Sequence, residues 1–180
     1  MNLKNMLRIV AATTLLCVVV FIKIPWAVPI TLQTFVVILI GLILTPKEAL
    51  LSVLLYIGIG LIGLPVFASG SSFQALTGPA GGFLISFPIS ACLISMFKSK
   101  KRIVVYDILV LLLVIIVFTY ILATAWYSYV LKVDFMTGLL AFAVYMGVDL
   151  VKIVVAYLVY KNLPQRFLDD INTQSDRHYT

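Results

Sequence analysis

Apolar residues run almost without interruption from one end of this chain to the other. Six stretches stand out, Leu7–Ile22, Ile30–Leu44, Ala49–Leu64, Gly81–Phe97, Ile103–Leu131 and Leu139–Tyr160, separated by polar, proline-containing or charged breaks. A span needs roughly 20 apolar residues, so the length accommodates about six helices and no soluble catalytic domain. Hydrophobic residues make up 63% of the chain and charged ones 11%, against about half and a quarter in soluble domains. The mean hydropathy of +1.16 is not confined to one end, which argues against a single anchor or a cleaved leader on a soluble body. The pattern predicts an all-α integral membrane protein with six transmembrane helices, residues 1–160 forming one transmembrane domain and 161–180 a polar cytoplasmic tail. The second and third runs are short, and a hairpin dipping partway into the bilayer is the alternative for them. It leaves both termini on the same side.

Placement of charge orients the bundle. On this topology Lys4, Arg8, Lys47, Lys98, Lys100, Lys101, Arg102, Lys161, Arg166 and Arg177 fall on one side, and only Lys23 and Lys132 on the other. The positive-inside rule then makes both termini cytoplasmic. Trp26, Trp126, Tyr127 and Tyr129 fall at the opposite interface, where an aromatic belt belongs. The net charge of +6 thus reflects loop cations beside membrane lipid, not a nucleic-acid surface.

Most catalytic chemistry is excluded. Cys17 and Cys92 lie in separate apolar runs without a C-x-x-C or a neighbouring histidine, so they read as small buried residues. His178, near the end of the tail, reads as solvated. Gly58, Gly60 and Gly63 satisfy G-x-G-x-x-G, yet follow no strand and precede no acidic residue at the right distance; close helix packing explains them better than a dinucleotide. No phosphate-binding loop is present, so ATP-driven work would need a partner. The sequence implies no catalytic residue, metal or cofactor: the chain is not an enzyme.

What remains is a small set of polar residues in apolar surroundings. Asp149 and Lys152 lie three apart near the middle of the last run, and each charge costs at least about 2.5–3.5 kcal/mol at a membrane helix centre. They share a helix face, either as a self-neutralising pair or as an acceptor and a cation offered to a ligand. Asp107, one turn from Arg102 at the cytoplasmic end, reads as solvated or paired there. The uncharged, glycine-rich segment Pro65–Gly82 is long for a connector and reads as an outer lid, with Phe67 and Phe73 available to cover an apolar ring. Gln33 opens the second run, bonding a neighbouring helix or lining a cavity.

Four ordered blocks, Pro29-Ile30-Thr31-Leu32-Gln33-Thr34-Phe35, Gly60-Leu61-Ile62-Gly63-Leu64-Pro65-Val66-Phe67-Ala68, Gly78-Pro79-Ala80-Gly81-Gly82-Phe83 and Gly147-Val148-Asp149-Leu150-Val151-Lys152, resemble the BioY family, the biotin-specific S components of energy-coupling-factor (ECF) vitamin transporters. The resemblance implies capture of biotin outside a bacterial cell membrane and delivery inward with an ECF transmembrane coupling subunit and two ATPase subunits. It assigns vitamin binding to Asp149 and Lys152 and closure to the Pro65–Gly82 loop, so the substrate-binding set is Asp149, Lys152, Gln33, Phe67, Gly81, Gly82 and Phe83. Docking of the coupling subunit falls to a small-residue patch at Ala11 and Ala12, although Leu15 and Leu16 stand where an A-x-x-x-A pattern would have alanine. Ser69-Gly70-Ser71-Ser72 also departs from family loops. The competing reading is an ion-coupled secondary transporter for a small organic solute with Asp149 as carrier; it would want a second intramembrane acid or paired broken helices.

Overall fold

The computed structural model of the chain describes residues 3–24, 30–68, 73–165, 168 and 171. Trp26, Ser69 to Ser72, Arg166, Arg177 and His178, discussed above, lie outside them. The described residues form helices α1 (Leu3–Val19), α2 (Gln33–Ile43), α3 (Pro46–Leu61), α4 (Phe73–Thr77), α5 (Gly81–Phe97), α6 (Val104–Leu111), α7 (Tyr120–Leu131), α8 (Phe135–Ala141) and α9 (Ala143–Asn162), and a π-helical stretch Leu112–Thr119 makes α6 and α7 continuous. A two-residue hairpin, Lys23–Ile24 against Ile30–Thr31, joins α1 to α2.

Local chemistry fixes several of these ends. Thr45 and Glu48 form a capping box with Pro46 in the first turn of α3, satisfying amides that a helix start leaves unpaired. The Glu48 carboxylate also accepts from Arg8 of α1 at 2.7 Å, so one acid starts α3 and ties it to α1. At the other end of α2, the Lys98 ammonium donates to the carbonyls of Leu42 at 2.8 Å and Leu44 at 2.7 Å and reaches Gly41 at 3.3 Å. A cation on terminal carbonyls is what the helix dipole favours. Burial there lowers the Lys98 pKa to about 8, while Glu48 and Asp107 act in the opposite sense.

The stretch Val104–Leu131, with 28 residues and a hydropathy of 3.0, and α9, with 20 residues and 1.7, are long and apolar enough to cross a bilayer; α2 and α5 are shorter apolar helices. The run Leu139–Tyr160 is not one helix. Asp134 caps α8 by accepting from the Met136 amide at 2.8 Å, and the chain bends at Phe142 before α9 begins. Beyond residue 160, Leu168 and Ile171 are buried with Tyr157 and Tyr160.

Helix α5 is central, packing on α2, α3 and α7, while α9 packs on α2. One apolar cluster joins α1, α2, α3 and α5; a second joins α2, α5, α6 and α9. A third, smaller one holds Tyr120, Ala123, Phe142 and Tyr145, with Phe83 packed against both it and the first. Large apolar side chains such as Phe21, Leu113, Ile121, Val151 and Leu158 face outward, as suits a surface that meets a membrane.

Candidate functional site

Helix α9 presents Asp149 and Lys152 from one face, with exposures of 3% and 9%. Lys152 Nζ lies 2.6 Å from Asp149 Oδ1, and the Tyr120 hydroxyl donates to Oδ2 at 2.9 Å. Each carboxylate oxygen therefore has a donor, which a buried charge requires. Among the described residues the ammonium has no other hydrogen-bond partner, so it keeps donor capacity. Of the alternatives open in the sequence, the ion pair is formed, and its ammonium keeps unused N–H groups.

Tyr120 is the first residue after the π-helical stretch. Wider turns there change the face that the following residues present. Thr119 holds the stretch, its hydroxyl donating to the Val114 carbonyl at 2.9 Å and lying 2.8 Å from the Ser90 hydroxyl of α5. Sequence reasoning missed Tyr120. A tyrosine inside a long aliphatic run was the available signal, since a buried phenol needs a partner.

Aromatic rings cluster around Tyr120, the donor to the carboxylate. Phe83 meets Tyr120 edge to face at 5.3 Å and Phe142 at 5.1 Å. Phe142 in turn meets Tyr127 at 5.0 Å and Tyr145 at 5.8 Å. Phe142 owes its place to the α8–α9 bend. Of the sequence candidates, Phe83 is thus brought into this group with Asp149 and Lys152.

Gly81 and Gly82 lie nearby, where α5 begins against α7. A methyl group on Gly81 would strike the Leu76 carbonyl and the Trp126 ring; one on Gly82 would stand 2.7 Å from Trp126 Cβ and 2.8 Å from Ala123 Cα. These glycines permit backbone contact between the two helices. Trp126 donates to the Gly78 carbonyl at 3.0 Å, so it fastens the end of the glycine-rich segment rather than serving only in an interfacial belt.

Gln33 and Phe67 make a separate set of contacts. The Gln33 amide donates to the Tyr56 hydroxyl, which donates to the Val66 carbonyl at 2.8 Å. The Phe67 ring stands edge-on to Tyr56 at 5.4 Å and fills the space above Gly60, where any side chain would collide with it. This chain of contacts seals Val66 and Phe67 against α2 and α3. Among the described residues no hydrogen bond or ring contact links Gln33 or Phe67 to Asp149 or Lys152. Phe73, in α4, is 67% exposed.

Asp107 corrects the sequence reading. It is buried, with Oδ1 accepting from the Ser99 amide at 2.6 Å and Oδ2 lying 3.4 Å from the Tyr157 hydroxyl. Arg102 does not pair with it. The Arg102 backbone is left-handed, with φ 52°, and its guanidinium donates to the carbonyls of Lys161 and Leu163 at 3.0 Å while lying over the Tyr160 ring. The last carbonyls of α9 are the stronger attraction for a planar cation. Ala11 and Ala12, the expected docking residues, line an apolar groove of about 230 Å³ with Leu15, Ile40 and Ile43, and Arg8 lies at its edge.

Comparison with known proteins follows the same line. The BioY family model matches residues 1–169. A Bacillus subtilis protein named "Probable biotin transporter BioY" is 32% identical over 169 residues, covering 89% of this chain and 91% of its own. A Pyrococcus horikoshii protein of the same name is 47% identical over 76 residues, a match spanning 42% of this chain and 47% of that one. The crystal structure of the S-component for biotin from an ECF-type ABC transporter superposes with a TM-score of 0.74, covering 93% of this chain and 98% of that chain at 23% identity, a likeness of fold.

Proposed function

The chain belongs to the BioY family, and from that premise we propose that it is a high-affinity biotin-binding membrane subunit. It captures biotin outside the cell and imports it together with an ECF transmembrane coupling subunit and two ATPase subunits. It is a multi-pass protein of a bacterial cell membrane, with six transmembrane helices and both termini cytoplasmic. The names of its relatives support the ligand and the assembly, and the cation distribution supports the orientation.

One observation carries the site: a buried carboxylate is bonded by Lys152 and by Tyr120, whose ring packs with Phe83 and Phe142 in an aromatic cluster. Biotin has a ureido group with two N–H donors beside a carbonyl, fused to an apolar bicycle with an aliphatic carboxylate tail. Asp149 accepts a ureido N–H and Lys152 donates to an oxygen of the ligand, both charge-assisted in a dry environment. Phe83, Phe142 and Tyr145 hold the rings. The tail extends toward the glycine-rich segment, whose end is anchored by Trp126. Gln33 and Phe67 act on the same site indirectly, by seating the start of that segment, and Gly81 and Gly82 by letting α5 approach α7.

Titration of the purified chain with labelled biotin, against other B vitamins as competitors, tests this reading. Saturable binding displaced by biotin alone is expected; equal displacement by unrelated vitamins refutes it. Uptake in cells that persists after the ATPases are removed would favour the ion-coupled carrier instead.

A further inference from the structure

Among the described residues Thr124 carries the one buried hydroxyl with no hydrogen-bond partner, and its exposure is 0%. A helical threonine ordinarily donates to the carbonyl one turn back. The exposed Thr14 and Thr77 do so, bonding Val10 at 2.9 Å and Phe73 at 3.1 Å, while the buried Thr13 donates instead to the Ser52 carbonyl of α3 at 2.9 Å. Thr119 bonds Val114 across the π-helical stretch. Thr124 forgoes that bond, and an unsatisfied buried hydroxyl is costly.

Its position is informative. Tyr120, Thr124 and Tyr127 follow the i, i+4, i+7 spacing that puts three residues on one helix face. Tyr120 and Tyr127 both face the Phe142 ring, at 6.2 Å and 5.0 Å. The Thr124 methyl lies toward Gly138 of α8, where a Cβ would meet both it and the Tyr127 ring at 3.3 Å. Thr124 thus stands within the aromatic cluster, one turn, or about 6 Å, further along α7 than the tyrosine that holds Asp149.

We propose that Thr124 is a ligand-contacting, specificity-determining residue, its hydroxyl bonding a polar atom on the edge of the bicycle opposite the ureido group. In biotin that edge carries the thioether sulfur. The inference rests on the biotin reading and adds to it a second polar anchor beyond Asp149 and Lys152. The bond that the protein leaves unmade at Thr124 is made to the ligand. Fold and binding then have opposite interests at this residue.

Thr124→Val keeps the shape and removes the hydroxyl; Thr124→Ser keeps the hydroxyl. Each is tested for thermal stability without ligand and for its Kd toward biotin and toward desthiobiotin, which retains the ureido group and tail but lacks sulfur. Expected for Thr124→Val are a melting temperature equal to or above the parent's, a biotin Kd raised about three- to ten-fold, and a desthiobiotin Kd within about two-fold of the parent's. Thr124→Ser should bind biotin like the parent. A lower melting temperature for Thr124→Val shows that the hydroxyl supports the fold and overturns the proposal, as does an unchanged biotin Kd or an equal loss for both ligands. Failure of the parent itself to bind biotin would overturn the functional reading; parent binding with Thr124→Val indistinguishable from it would overturn this inference alone.

Discussion

Removing the charge from Asp149 is the most informative perturbation of this protein. Asp149→Asn conserves size but leaves Lys152, 2.6 Å from the lost charge, buried without its counter-ion. Breaking a buried pair on one side typically costs about 3–5 kcal/mol of stability. Ligand binding suffers separately. A hydrogen bond to a charged partner contributes about 1.5–3 kcal/mol, so biotin affinity should fall on the order of ten- to a hundred-fold. Lys152→Met, the reciprocal change, leaves Asp149 with Tyr120 alone. The double variant Asp149→Asn with Lys152→Met separates the two effects, because it removes both charges and with them the uncompensated burial. If the pair serves binding, the double variant should regain thermal stability while biotin affinity stays low. The assay is a melting curve and a biotin titration on each of the four proteins in detergent. A double variant that binds biotin as tightly as the parent would refute the reasoning, since the pair would then be structural and the ligand would be held elsewhere.

Three further outcomes follow from the geometry. Tyr120→Phe deletes the donor to Asp149 Oδ2 and should weaken biotin binding about ten-fold while the aromatic packing persists, read by titration and near-UV circular dichroism. Gly60→Ala forces the Phe67 ring from its seat and should cost about 1–3 kcal/mol in thermal stability, with protease cleavage appearing near Phe67. Lys98 binds its proton less tightly folded, with a pKa of about 8, than at its ordinary value of 10.5. The unfolded chain therefore holds the extra proton between those values, and this group makes stability rise with pH there. Melting temperatures of the parent relative to Lys98→Met should accordingly increase from pH 8 to 10; a flat or falling difference would overturn the assignment.

Some of this architecture could be seen in the sequence because the causes were local. The run Gly81–Phe97 coincides with α5, since glycines open it and Lys98 closes it. Asp149 and Lys152 stood out because charge is rare in an apolar helix. The start of α1 at Leu3 was less visible, as Lys4 and Arg8 in its first turns register as polar although they are helical. The α8–α9 bend escaped because hydropathy passes smoothly through Phe142, whereas the signal was the cap at Asp134. Tyr120 and Thr124 escaped for a different reason. Their meaning depends on partners from α8, α9 and the α5 end, far away in sequence, and on a π-helical stretch whose residues, Leu112 to Thr119, are almost all aliphatic and carry no local mark of it.

That stretch gives the long span an unusual sensitivity to length. In a regular helix each residue turns the chain by about 100°, and a wider turn absorbs one residue that would otherwise rotate everything after it. Between Leu112 and Thr119 the chain stores such a surplus. Deleting a single residue there would let the span relax into an unbroken α-helix, with little loss of intrahelical bonding and with the Tyr120 face kept where it is, whereas deleting one from a regular turn of α6 would swing that face by about 100°. Length changes in this span, neutral by composition, thus differ by position: the π-helical stretch can give up a residue and hold the alignment of α7 with α9, and the regular turns on either side cannot.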